Sequence, residues 1–225
     1  MNLNHYNYIL NGISHKIELK NNIKFKGEPL PQKILLSNKY FIKILNDLFD
    51  YLSIEYIPIK STLLGQHIFQ GIHIFDDNLE FIIEKNNFKK LLKEKNYLIE
   101  NNILFHFINQ EYVCLRMNII DNYFSVVYIY LFENENNIIH YYDKHKNKFQ
   151  CHFYDIFPIQ KKRFEEFEIS NPNKIDELLN QQFNLNYIEF ISYYHQVERL
   201  NANHPHIFKI IIYLVFLMIF QEYFE

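Results

Sequence analysis

The sequence predicts an α+β fold: a mixed sheet with flanking helices, an N-terminal hairpin and an apolar C-terminal helix. Three patterns carry that prediction. Phe41, Ile44, Leu45, Leu48, Phe49 and Leu52 recur at three- and four-residue steps, the period of a helix with one buried face. Runs rich in β-branched and aromatic residues succeed one another between Ile103 and Phe132, as in an antiparallel meander. Asn11-Gly12 stands between Tyr8-Ile9-Leu10 and the run Ile13 to Leu19, a two-residue hairpin signal.

Taken in order, residues 1–36 form a hairpin extension, closed by a polar loop from Lys20 to Pro31. Helix 38–52 follows, with Ser37 or Asn38 as its cap. Ile54 to Ile59 is a short apolar strand that leads into a small-residue turn, Ser61 to Gly65. Asp76 to Ile83 reads as a strand. Asn86 to Lys95 reads as a helix with Phe88, Leu91 and Leu92 inward and its lysines solvated. Strands are expected at Ile103–Phe107, Tyr112–Ile119, Tyr123–Phe132 and Ile138–Tyr141, with Glu133 to Asn137 as a turn. Phe157-Pro158 reads as a loop anchor, and Pro172 precedes a helix from Asn173 to Phe183.

The last stretch, residues 201–225, opens on His204-Pro205-His206 and runs apolar from Ile207 to Phe220. Its uninterrupted part, after Lys209, is about eleven residues, where a membrane span needs about 20. A buried C-terminal helix is the first reading. An interfacial helix, or one that docks a partner or a second copy into a homo-oligomer, is the alternative.

Composition narrows the function. With 48% apolar residues the chain is not a disordered one. A net charge near -3 and the lack of a basic stripe speak against nucleic acid as partner. Cys114 and Cys151 are the only cysteines, too few for a disulfide framework or a zinc signature. The histidines show no ligand spacing. Met1 to His5 carries neither a basic nor an apolar leader pattern, so a cytoplasmic protein is expected.

Chemistry concentrates between Ser61 and Phe81. Side chains alternate along a strand, so Asp76, Asn78 and Glu80 share one face and Asp77, Leu79 and Phe81 the other. Two carboxylates and an amide oxygen make a hard-oxygen set suited to Mg²⁺ or Mn²⁺. Acidic strand ends are also commonly just solvated.

The spacing here resembles the LicD/fukutin group of nucleotidyltransferase-fold proteins. That group writes Gly-Thr-Leu-Leu-Gly and then Trp-Asp-Asp-Asp-Ile-Asp-Ile. This chain has Ser61-Thr62-Leu63-Leu64-Gly65 and, at the same spacing, Phe75-Asp76-Asp77-Asn78-Leu79-Glu80-Phe81. Thr62, Leu63, Leu64, Gly65, Asp76 and Asp77 match. Ser61 replaces a Gly, Ile68 an Arg, and Ile74-Phe75 a Pro-Trp; Asn78 and Glu80 stand where the group has metal-binding aspartates. Further similarity runs through Phe157-Pro158-Ile159, Phe164-Glu165, Ile169, Pro172-Asn173 and Leu178-Leu179. Together these cover residues 38–190, within a domain of 37–200.

The resemblance implies a nucleotidyltransferase-like mixed sheet. It implies transfer of a phosphorylated alditol or phosphocholine from a CDP-activated donor to a glycan acceptor. Asp76 and Glu80 would be catalytic. Asp76, Asn78 and Glu80 would hold a weakly bound Mg²⁺ or Mn²⁺. Ser61, Thr62 and Gly65 would contact the donor's phosphates in a turn. The group's third carboxylate aligns with Tyr128, a poor metal ligand, with Asp121 or Asp155 as substitutes under another register. The rival expectation is a pseudoenzyme of the same fold that binds a nucleotide, a glycan or a protein.

Overall fold

The computed structural model describes residues 5–10, 13–18, 30–73, 76–118 and 124–183. The expected apolar helix after Asn201 lies outside the described residues. The chain adopts the expected α+β class, a mixed sheet flanked by helices. Strands β1 (His5–Leu10) and β2 (Ile13–Glu18) pair antiparallel, with Leu10 opposite Ile13.

Helix α1 (Gln32–Tyr51) starts six residues before the expected 38. Pro31 precedes it; the ring fixes φ near the helical value, and the N–H it lacks is one that has no carbonyl within the helix to donate to. Ile34 and Leu35 extend the buried stripe back to that point. Asn38 is therefore no cap. It is fully buried, and its Oδ1 accepts a bond from Ser125 Oγ at 2.6 Å. Phe41 and Phe49 have no exposed surface, and burial of each is worth about 1.5–3 kcal/mol.

Next come β3 (Tyr56–Pro58), α2 (Lys60–Phe69) and β4 (Asn78–Glu84). Ser61 to Gly65, expected as a turn, lies inside α2. The expected strand begins at Asn78 rather than Asp76. The expected helix 86–95 is a 3₁₀ turn, Lys85–Asn87, then α3 (Phe88–Lys93) and α4 (Lys95–Glu100). The break at Glu94 lets both Leu91 and Leu98 reach the core fully buried.

Strands β5 (Ile103–Ile108), β6 (Tyr112–Asn118) and β7 (Phe124–Glu135) form the expected meander. The sheet order is β3-β4-β7-β6-β5, with β4 and β7 parallel and the other pairs antiparallel. The stretch Glu133 to Glu135, expected as a turn, continues β7 and pairs with β8 (Ile138–Tyr142). Only Asn136 and Asn137 turn, both left-handed at φ 53° and 63°, a conformation asparagine tolerates.

Four elements were not anticipated: β9 (Lys148–His152), α5 (Phe153–Ile156), β10 (Gln160–Phe164) and β11 (Phe167–Asn171). Helix α6 (Ile175–Phe183) follows close to its expected place.

The sheet separates two apolar clusters. Leu79, Phe81 and Ile83 of β4 face α1, α3 and α4. Ile82 faces the other side, with Leu63 and Leu64 of α2 and Leu178 and Leu179 of α6. Strand alternation therefore sends Asn78 and Glu80 to the α2 side, where the site is built.

Candidate functional site

The site forms where β3 gives way to α2. Lys60 adopts φ 49°, a left-handed value that swings the chain from strand into helix. Its N–H donates to Gln182 Oε1 at 2.6 Å, so a side chain of α6 occupies the first donor position of α2. Ser61 Oγ is buried and has no hydrogen-bond partner among the described residues. Thr62 Oγ1 accepts the N–H of Glu80 at 2.8 Å, tying α2 to β4. Gly65 permits close approach of the following loop: a Cβ there would lie 2.5 Å from the His73 backbone nitrogen.

Asp76 and Asn78 precede and open β4. Asp76 is buried, and its Oδ1 accepts the Asn78 N–H at 2.9 Å. That local turn folds the carboxylate back on its own chain. Ile74 and Phe75 lie outside the described residues. Glu80 is 6% exposed. Its Oε1 accepts the Tyr130 hydroxyl at 2.8 Å and stands 3.3 Å from Lys60 Nζ. The same ammonium lies 3.2 Å from Asp143 Oδ2. The rings of Tyr130 and Phe149 have centroids 5.4 Å and 5.3 Å from Lys60 Nζ, within cation–π range.

Asp143 is held in turn by the N–H groups of His145 and Asn147, each at 2.9 Å, and by Asn147 Nδ2 at 3.2 Å. Burial alone would raise its carboxyl; the Asn147 N–H and the Lys60 charge outweigh that and hold it below the usual range. Burial, and then the Glu80 charge, push the Tyr130 phenol far above its usual range. Tyr130 is thus a neutral donor to Glu80.

On β7, Tyr128 is the register partner of Glu80. A row across the sheet therefore reads Phe107 of β5, Cys114 of β6, Tyr128 of β7 and Glu80 of β4. Tyr112 joins the aromatic part, with ring centroids 5.4 Å from Phe107 and 6.3 Å from Tyr128. Lys144 Nζ lies 4.4 Å from the Tyr128 centroid. Asp155 is elsewhere, in α5, paired with Lys174 at 3.0 Å, and Asp121 lies outside the described residues.

These residues do not fit a resident Mg²⁺ or Mn²⁺. A hard divalent ion takes several anionic oxygens. Glu80 Oε1 already receives an ammonium and a phenol, Asp76 Oδ1 receives Asn78, and a tyrosine stands beside Glu80. Lys60 supplies the positive charge between the carboxylates. Another group can hold a metal: single ligand atoms of Glu133, Glu135 and His140 lie within 4.8 Å of one another.

Sequence reasoning found Glu80 and Tyr128 but missed Lys60, Tyr130, Asp143 and Gln182. Tyr130 follows Tyr128 by one strand period, and Asp143-Lys144-His145-Lys146-Asn147 is an Asx-turn pattern, so two of the four left a trace. Among the described residues no helix is long and apolar enough to cross a membrane. No protein-family model matches the chain, and no curated protein matches it significantly.

Proposed function

We propose that this chain is a nucleotidyltransferase-fold protein of the LicD type that binds a nucleotide-linked ligand without turning it over. One observation carries the reading: the Lys60 ammonium lies between Glu80 and Asp143, 3.3 Å and 3.2 Å away. Metal-assisted phosphoryl transfer relies on an ion that bridges phosphate oxygens and neutralises developing charge. A lysine shared by two buried carboxylates has little charge left for a phosphate. The aromatic row beside Glu80 supplies the binding surface. Phe107 is 47% exposed, Tyr112 and Tyr128 are half-buried, and Lys144 sits over Tyr128. Partly exposed rings beside a cation suit a base and its phosphate.

The test is calorimetric titration of the full chain with CDP, CDP-ribitol, CDP-glycerol and CDP-choline, in Mn²⁺ and in EDTA. Binding that is equal in both media and weakened by Tyr128→Ala is the expected result. Failure to bind any of them overturns the reading.

The transferase reading, with a CDP-activated donor and a glycan acceptor, keeps one observation in its favour. Ser61 offers a buried hydroxyl, unpartnered among the described residues, at the start of α2, where the resemblance puts the donor's phosphates. Mn²⁺-dependent release of CMP from a CDP-alditol or CDP-choline would establish it in place of the binding reading.

A further inference from the structure

We propose that the β7–β8 hairpin carries a zinc site made by Glu133, Glu135 and His140, separate from the Lys60 cluster and independent of the function proposed above. The hairpin sets the geometry. Asn136 and Asn137 make a two-residue left-handed turn, which pairs Glu135 with Ile138 and Glu133 with His140. Glu133 and Glu135 are two apart on β7, so both side chains leave the same face, and His140 reaches that face from the opposite strand.

The result is two carboxylates and an imidazole with single ligand atoms within 4.8 Å of one another. Glu133 divides its oxygens. Oε1 is held by Lys85 Nζ, while Oε2 faces His140 Nε2 at 3.6 Å. A ligating carboxylate oriented through its second oxygen is a common arrangement around metals. His140, with its side chain 15% exposed, borders two clefts of about 400 Å³ and 460 Å³, so water has room to complete the coordination.

The donor set selects the ion. Mg²⁺ and Ca²⁺ take oxygen donors, whereas an imidazole with two carboxylates suits Zn²⁺. Three protein ligands leave a fourth tetrahedral position open, the pattern of zinc sites that keep a water or take an added ligand. Bound zinc would clamp β7 to β8 across the hairpin, in the stretch that leads to Asp143.

The experiment is equilibrium dialysis of chelator-stripped full chain against Zn²⁺, Mn²⁺ and Mg²⁺, with thermal melts in parallel. Wild type is expected to take up one Zn²⁺, in preference to Mg²⁺, and to melt higher with zinc. His140→Ala and Glu135→Gln are expected to lower zinc affinity at least about tenfold while keeping the zinc-free melting temperature. His67→Ala, on α2, is the control for general imidazole binding and should bind as wild type does. Absence of stoichiometric zinc in wild type overturns the proposal. So does equal binding by wild type, His140→Ala and Glu135→Gln. If a variant fails to fold, the wild-type melt with and without zinc and the second variant still decide.

Discussion

Replacing Lys60 with Met isolates the charge at the centre of the candidate site. Methionine keeps the unbranched apolar stem against the Tyr130 and Phe149 rings and removes the ammonium. Each Lys60–carboxylate pair, at 3.2–3.3 Å, has a gross attraction of about 5 kcal/mol at an effective dielectric near 20. Desolvation offsets much of that in the intact cluster. Removing the cation leaves Glu80 and Asp143 facing one another with side chains 8% and 3% exposed. Stranding one member of a buried pair costs about 3–5 kcal/mol. For a chain of this size that corresponds to a fall in Tm of about 6–20 °C. The same change leaves two carboxylates without a counter-ion, so Mn²⁺ should raise the Tm of the variant and not that of wild type. Differential scanning calorimetry with and without Mn²⁺ reads both effects. A variant within about 2 °C of wild type, indifferent to Mn²⁺, would refute the role given to Lys60.

Asp143 has a carboxyl held below its usual range, so it stabilises the fold above its unfolded value. That contribution falls away as pH drops through the lowered one. Urea midpoints should therefore decline below about pH 4, more steeply in wild type than in Asp143→Asn; parallel profiles would count against the linkage. Gly65→Ala should destabilise by about 1–3 kcal/mol, because the new methyl meets the His73 backbone at 2.5 Å. A thermal melt checks it, and an unchanged Tm would show that the loop yields freely. Thr62→Val removes the acceptor of the Glu80 N–H and should cost about 1–3 kcal/mol in chemical denaturation. Thr62→Ser, which keeps the hydroxyl, should recover most of it; equal losses would assign the effect to packing.

The sequence by itself determined the periodic elements. Helix α1, the meander β5–β7 and the alternation that puts Asn78 and Glu80 on one face follow from local spacing, because side-chain direction repeats with the backbone period. Its local errors have local causes. Pro31 starts α1 early, and Asp76 spends its carboxylate on the Asn78 N–H, so β4 begins two residues late. The small residues Ser61 to Gly65 look like a turn but enter a helix, since Lys60 alone makes the change of direction. Asn136 and Asn137 absorb the whole of the next turn and leave Glu133 and Glu135 on a strand. The charge pattern of the site belongs to tertiary structure. Lys60 meets Glu80 across 20 positions and Asp143 across 83, and Gln182 reaches the Lys60 N–H across 122. No period or motif encodes such pairs. They exist because the sheet brings β4, β7 and the Asp143 turn to one side, and burial then requires each charge there to find a partner.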